Sequence, residues 1–170
     1  MAVDLDDVRK LCELMTQANR GDHFHALGIE VLEIFRGGAS MKLEYHEDLV
    51  GDPATGVVHG GAITALLDSC CGFAASTVLD ELGLTPTIDL RIDYMGAAEP
   101  HKPIIGKAEV YRTTKNVIFT RGVAFQDDES RPVAHAVGNF VALEPGTFDN
   151  FREGVLSAYA KMVAEQGGAA

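Results

Sequence analysis

The sequence predicts an α+β fold in which a mainly antiparallel sheet covers a long central helix. An apolar segment at about 59–80 has helical length, and Asp68 is its only formally charged side chain between His59 and Leu79. Six strand-like runs surround this segment, two before it and four after it. A helix that is apolar on nearly every side must be buried, so the strands are expected to form its cover.

The chain begins with a predicted helix at 4–18, where apolar residues recur at helical spacing and Asp residues precede Lys and Arg, as the helix dipole prefers. Gly21 is expected to end it. Residues 26–36 read as a strand with a slip in alternation between Val31 and Leu32. The slip indicates either a β-bulge or a strand covered on both faces.

The next strand, 39–46, alternates cleanly between apolar and polar side chains and is followed by a loop at 47–56. The central helix is expected to stop near Gly83, because Pro86 prevents its continuation. The remaining predicted elements are strands at 87–95, 103–113, 116–126 and 132–143, and a terminal helix at about 148–166.

Length and charge restrict the classes of protein. A chain of 170 residues with 46% hydrophobic residues predicts a single domain, 1–170, with its core at about 26–143. A net charge of −11 disfavours nucleic acid as a partner, because phosphate binding requires a basic face.

The cysteines and the apolar segments bear on location. Three cysteines, two of them adjacent, do not form a disulfide framework and favour a reducing, cytoplasmic setting. The N-terminus has no apolar stretch typical of a signal peptide. The longest apolar run, 57–79, contains His59, Asp68 and Gly72, which favours a buried helix over a membrane span. No membrane partner is expected.

Gly60 and Gly61 lie in the first turn of the central helix. Helix N-termini carry unpaired N–H groups and the positive end of the dipole, and glycine lets a ligand oxygen approach them. The pattern is typical of an oxyanion hole. The alternative is that the two glycines only allow the helix start to pack closely on the sheet.

Asp68 has two interpretations. It is a general base or nucleophile at the edge of an apolar pocket, or it is a structural carboxylate, paired for example with Arg91 or solvated. His59 and Asp68 are nine residues apart, which is about 13.5 Å along a helix, so they cannot form a dyad in one chain. A two-fold dimer with antiparallel central helices would bring Asp68 of one chain near Gly60 of the other.

Other candidate side chains carry weaker signals. Cys70 and Cys71 have no histidine spaced to activate them, so packing is the expected role. His23 and His25 could bind a metal, but no cysteine or carboxylate cluster lies nearby in the sequence.

The segment GVVHGGAITALLD (56–68), preceded by GDPAT (51–55), resembles the hotdog-fold thioesterases, and among them the PaaI-like (phenylacetyl-CoA thioesterase-like) group. The resemblance covers about 26–143. Its motif combines HGG, an Asp nine residues after the His, and the following strand TIDLRIDYM (87–95). It implies a hotdog fold with additional terminal helices, and hydrolysis of acyl-CoA to free acid and CoA without a metal or cofactor.

The resemblance also implies residue roles. Gly60 would donate its N–H to the thioester carbonyl, with Gly61 beside it in the binding turn. Asp68 of the partner chain would act as general base on water or as nucleophile. His59 would fix the helix start and contact the thioester, and Thr87 would help hold the attacking water. A homodimer, or a homotetramer built as a dimer of dimers, would carry the sites at its interface.

Two positions depart from the pattern of the family. Relatives commonly carry Asn in the loop before HGG, where this chain has Asp52, and an ionised acid cannot donate a hydrogen bond. Asp52 is therefore a candidate substrate contact of altered chemistry. Thr87 falls on the polar row of its strand with Asp89, and this row should face away from the helix unless the strand starts irregularly.

Two other functions compete with hydrolysis. A non-catalytic acyl-CoA-binding module would not need to keep Asp68 together with HGG. A hotdog hydratase or dehydratase would be expected to carry a D-x-N-x-x-H motif, and the spacing from Asp52 to His59 does not match it. Aryl-acetyl, hydroxybenzoyl and medium-chain acyl groups are all compatible with an apolar pocket of unknown depth.

Overall fold

The computed structural model describes residues 2–17, 23–147 and 149–167. Six strands form one antiparallel sheet against a central helix, as the sequence predicts. The elements are α1 (Leu5–Gln17), α2 (His23–Leu27), β1 (Ile29–Phe35), β2 (Gly38–Leu43), a 3-10 turn (Glu47–Leu49), β3 (Val50–Asp52), β4 (Val57–Val58), α3 (Gly60–Ser76), β5 (Thr87–Tyr94), β6 (Ile104–Thr113), β7 (Val117–Phe125), β8 (Ala134–Val141) and α4 (Phe151–Gly167).

The strand order in the sheet is β1-β2-β6-β7-β8-β5, and every neighbouring pair is antiparallel. β1 and β5 are therefore the two edges. The slip predicted in β1 is a bulge, because the pairing with β2 shifts between Val31 and Glu33. A second bulge lies in β5, where the pairing with β8 shifts between Thr87 and Asp89.

The central helix α3 lies across one face of the sheet. Leu66, Leu67 and Cys70 on this helix are fully buried. Two sheet glycines allow the close approach: a Cβ at Gly106 would lie 3.0 Å from Leu66, and one at Gly122 would lie 3.1 Å from the sulfur of Cys71. This packing fixes the helix against β2, β6 and β7 and sets the position of every side chain along it.

The predicted C-terminal end of the central helix, near residue 80, is wrong, because α3 ends at Ser76. Hydrogen bonds from outside the helix satisfy the carbonyls at its C-terminal end. The Thr77 hydroxyl donates to the Ala74 carbonyl at 2.6 Å, and the Arg36 guanidinium donates to the Thr77 carbonyl. The Gly37 N–H in turn donates to the Thr77 hydroxyl at 2.9 Å. These bonds to the β1–β2 turn replace the next helical turn.

Three short features were not predicted. The loop expected at 47–56 contains the 3-10 turn and β3, which pairs with β4 just after the loop in a small hairpin. Residues 23–27 form the short helix α2. The expected helix end at Gly21 lies outside the described residues.

The terminal helices pack on each other beside β1. α1 contacts β1 and α4. The Arg152 guanidinium of α4 donates to the buried Asp7 carboxylate of α1 at 2.5 Å, and the Tyr159 hydroxyl donates to Glu13 at 2.7 Å. None of the helices in the described part of the chain is long and apolar enough to cross a bilayer.

Candidate active site

The first turn of α3 is capped by His59. The His59 backbone is extended, and its Nδ1 accepts a hydrogen bond from the Gly61 N–H at 2.9 Å. A Cβ at Gly61 would lie 2.8 Å from this nitrogen, so glycine is needed for the cap. Because Nδ1 accepts, the neutral imidazole carries its proton on Nε2, which is left as a donor.

The 3-10 turn and β3 contact the backbone of His59. The His59 N–H donates to the Leu49 carbonyl at 2.7 Å, and a Cβ at Gly51 would lie only 2.9 Å from the His59 Cα. Asp52 lies at the turn of this hairpin. Its carboxylate accepts from the Thr55 hydroxyl at 2.8 Å and from the Ala54 N–H at 3.0 Å.

These two bonds hold the pKa of the Asp52 carboxyl below its ordinary value, the Thr55 hydroxyl having the larger effect. The carboxylate is thus engaged by its own turn, and within the described part of the chain it makes no hydrogen bond or ion pair with the helix start. Its role as a substrate contact stays a prediction.

The Gly60 N–H is the candidate oxyanion donor. Among residues 2–17, 23–147 and 149–167, none accepts a hydrogen bond from it. It stands at the positive end of the α3 dipole, where an anionic oxygen is stabilised. The donor is therefore available to a ligand carbonyl, and its role as an oxyanion donor stays a prediction.

Asp68 and Thr87 meet across the α3–β5 contact. The Thr87 hydroxyl donates to the Asp68 Oδ1 at 2.9 Å. The bulge in β5 explains how: Thr87 pairs with Phe140 and Asp89 with Asn139, so one extra residue, Ile88, lies between them. This residue shifts Thr87 from the polar row to the helix-facing row. The irregular strand start that this arrangement required is present.

The structural alternative that paired Asp68 with Arg91 is wrong. Arg91 lies on the other row of β5, and its guanidinium contacts the Asp93 carboxylate at 2.9 Å. Asp68 is half-buried, and Thr87 is exposed in the isolated chain. The carboxylate therefore lies on an accessible face with a hydroxyl donor beside it.

Tyr94 is a site residue that sequence reasoning missed. It ends β5, and its hydroxyl donates to the Gly60 carbonyl at 2.6 Å and lies 2.7 Å from the Thr64 hydroxyl. The signal was present in the alternation of TIDLRIDYM, which places Tyr94 on the same row as Leu90 and Ile92. That row faces the helix.

Gly60 and Asp68 lie on the same helix, eight residues apart, a rise of about 12 Å. A thioester carbonyl bound at the Gly60 N–H therefore cannot reach Asp68 of the same chain. His59 and Asp68 are further apart still.

The cysteines and the two neighbouring histidines were the other candidate side chains of the sequence. All three cysteines are buried free thiols. Burial raises the pKa of Cys70 and Cys12 and raises that of Cys71 to about 11, which opposes thiolate formation. His23 and His25 lie on α2. Within the described ranges, no group of three or more His, Cys, Asp or Glu side chains is placed to hold a metal ion.

Comparison with known proteins gives the family. Residues 55–133, which include the helix start, Asp68 and β5, match the family model of the thioesterase superfamily. A solved structure of a protein from Pseudomonas aeruginosa is 44% identical, with a TM-score of 0.70, and the match covers 81% of this chain and 99% of that chain.

Two further relatives carry informative names. A protein of Saccharolobus solfataricus named "Putative esterase" is 28% identical over 140 residues, which is 81% of this chain and 94% of that protein. A variant of the phenylacetic acid degradation protein PaaI from Thermus thermophilus is 25% identical with a TM-score of 0.62, covering 70% of this chain and 96% of that chain.

The motif, the sheet around its central helix and these matches agree. The chain belongs to the hotdog-fold thioesterase superfamily, is similar to its PaaI-like members, and is a thioester hydrolase.

Proposed function

We propose that this protein is an acyl-CoA thioesterase that hydrolyses an aromatic or medium-chain acyl-CoA to the free acid and CoA. The observation that carries the proposal is the Asp68–Thr87 hydrogen bond of 2.9 Å on an accessible face of α3. A carboxylate held by a hydroxyl, on a helix whose first turn offers an N–H donor, supplies the two groups that thioester hydrolysis needs.

Each site is built from two protomers. If Gly60 and Asp68 act on one carbonyl, they must come from different chains, because the helical rise between them is about 12 Å. β5 is an edge strand, and Ile88 and Met95 on and beside it are 54% and 63% exposed. A two-fold axis at this edge would extend the sheet and place two α3 helices antiparallel. The assembly is a homodimer, or a homotetramer that pairs such dimers.

The reaction would proceed as follows. The thioester carbonyl oxygen accepts a hydrogen bond from the Gly60 N–H of one protomer. Asp68 of the other protomer takes a proton from a water molecule as the water oxygen attacks the carbonyl carbon. The Thr87 hydroxyl orients this water and the Asp68 carboxylate. The tetrahedral oxyanion is stabilised at the helix start, and the carbon–sulfur bond then breaks to release CoA as thiolate. In the alternative route, Asp68 attacks directly and water hydrolyses the resulting anhydride.

His59 would support this reaction from the helix start. Its Nδ1 is occupied by the Gly61 N–H, so its Nε2–H faces outward as a donor toward the bound thioester. Gly61 contributes by allowing this cap.

The CoA phosphates require basic side chains. Arg91 and Arg121 are engaged by Asp93 and Glu109. Arg112, Lys115 and Arg131 have no ion pair of this kind in the described part of the chain, and we favour these three for the phosphates. The three free thiols are consistent with a cytoplasmic protein.

The test is release of CoA thiol from aromatic and aliphatic acyl-CoA substrates by wild type and Asp68→Ala. We expect a loss of kcat/KM of about 10²- to 10⁴-fold in a folded variant, the contribution typical of a general base. Asp48→Ala is the matched control, because this carboxylate is 99% exposed, and it should retain full activity.

Equal rates in wild type and Asp68→Ala would refute the role of Asp68. If wild type binds acyl-CoA but releases no thiol, the site is a binding module. An absorbance change with an enoyl-CoA instead of thiol release would identify a hydratase.

A further inference from the structure

Tyr94 forms hydrogen bonds with the first turn of α3. Its Oη lies 2.6 Å from the Gly60 carbonyl oxygen and 2.7 Å from the Thr64 Oγ1. The Thr64 Oγ1 lies 3.2 Å from the same carbonyl. A tyrosine has one hydroxyl proton, which goes to the carbonyl at the shorter distance, and Thr64 then donates to the tyrosine oxygen. The two hydroxyls thus form a chain that ends on Gly60.

The ring of Tyr94 also occupies the space of a side chain at Gly60. A Cβ there would lie 2.9 Å from Oη and 3.0 Å from Cζ of Tyr94. A side chain at residue 60 would therefore have to displace the end of the Tyr94 side chain. The packing alternative raised by the sequence applies here, and it leaves the Gly60 N–H free for a ligand.

Gly60 is held on both sides by these contacts. The His59 imidazole fixes the Gly61 N–H, and Tyr94 fixes the Gly60 carbonyl and Cα. Glycine loses more freedom on ordering than any other residue, and first helical turns fray easily. An oxyanion donor must be held close to its productive direction to stabilise the transition state.

We propose that Tyr94 is a positioning residue for the Gly60 N–H, acting with Thr64, and that it determines how well this N–H stabilises the oxyanion. The inference rests on the proposed function. Tyr94 makes both hydrogen bonds even in the isolated chain, where it is 53% exposed. Its bond to the backbone at the reaction centre is the reason to assign it a role in catalysis.

The test compares Tyr94→Phe with wild type. The variant keeps the ring and loses the hydroxyl chain, so kcat should fall about three- to tenfold, the effect of one net hydrogen bond, while KM changes less than about twofold. Tyr111→Phe is the matched control, because Tyr111 is an exposed tyrosine of β6 that packs near Phe119. It should leave both constants unchanged.

A binding experiment separates positioning from general stability. Two inert CoA analogues carry the acyl group of the best substrate: a ketone that replaces the thioester sulfur by methylene, and a thioether that lacks the carbonyl. Tyr94→Phe should weaken the ketone about three- to tenfold and leave thioether affinity unchanged. Thr64→Val should have a similar effect, and the double variant should be no worse than the stronger single variant.

Equal loss of affinity for both analogues in Tyr94→Phe, or no loss for either, would overturn the inference while leaving the proposed function intact. If wild type does not bind the ketone more tightly than the thioether, the oxyanion role of Gly60 fails, and the proposed function fails with it.

Discussion

The two edges of the sheet are built alike and used differently. β1 and β5 each contain one bulge, with an exposed apolar residue as the extra one: Leu32 in β1 is 44% exposed, and Ile88 in β5 is 54% exposed. On the β1 side, a polar contact holds the segment just before α1: the Arg36 guanidinium donates to the Val3 carbonyl at 2.7 Å. On the β5 side, the polar side chains contact α3 at Gly60 and Asp68.

The comparison teaches that the bulge alone does not mark a functional edge. At β1 the shift in pairing accompanies packing under α1, whereas at β5 it turns a hydroxyl toward a carboxylate. The difference lies in what the displaced side chain contacts, and β5 is the edge at which we propose that a second chain pairs.

The largest expected effect tests this difference with one substitution at each edge. Ile88→Lys should place a charge at the proposed dimer contact, prevent association, and reduce activity by about 100-fold or more, because a monomer lacks a complete site. Leu32→Lys is the matched control and should keep both assembly and activity. Light scattering and thiol release measure the two properties. A monomer with wild-type activity would contradict the two-chain site.

The next prediction uses mixed assemblies. Asp68→Ala removes the carboxylate, and Gly60→Val blocks the helix start, so each homodimer should be inactive. A dimer purified through two different tags, one on each variant, should recover about half of wild-type activity, because one of its two sites is intact. Mixed dimers as inactive as their parents would show that Gly60 and Asp68 act within one chain.

A smaller loss is expected at the bulge itself. Thr87→Val removes the hydroxyl bonded to Asp68, and kcat should fall about tenfold, as for loss of a hydrogen bond to a charged group. Thr85→Val is the matched control, because the Thr85 hydroxyl donates to the Gly72 carbonyl of the same helix at 2.8 Å and not to the carboxylate. Equal losses of kcat in both variants would indicate a general effect on α3.

Beside β1, where the terminal helices pack, a substitution should affect stability alone. Arg152→Ala leaves the buried Asp7 carboxylate without its ion-pair partner, and the free energy of unfolding should fall by about 1–3 kcal/mol. Denaturant unfolding measures the loss, and kcat at a temperature where the variant is folded should be unchanged. A large fall in kcat would show that the terminal helices influence the site.

The sequence predicted the main elements because their patterns are long and local. The apolar helix and the alternating strands needed no tertiary information. The end of α3 could not be predicted, because Arg36 and Thr77, 41 residues apart, supply its final contacts. The strands β3 and β4 are too short to show an alternation of apolar and polar side chains.

Within the candidate site, the sequence proposed the backbone donor, the carboxylate and, through the family resemblance, Thr87, but it did not propose Tyr94. HGG and Asp68 are recognisable as a motif. The Thr87 contact depended on a strand irregularity that alternation alone cannot locate, and Tyr94 looked like an ordinary residue of an apolar row. The contacts of Thr87 and Tyr94 can be recognised only in the folded chain, where β5 pairs with β8 and packs against α3.

The bulge in β5 has a consequence for how relatives should be aligned. Thr87 faces Asp68 because it pairs with Phe140, and the extra residue, Ile88, comes after it. A relative that lacks Ile88 would have a regular strand with the threonine hydroxyl in the same place. The rest of β5 would then follow the threonine one residue earlier in the sequence. Insertions and deletions here are therefore compatible with an unchanged carboxylate–hydroxyl pair, and an alignment that forbids a gap after Thr87 would assign the wrong partner.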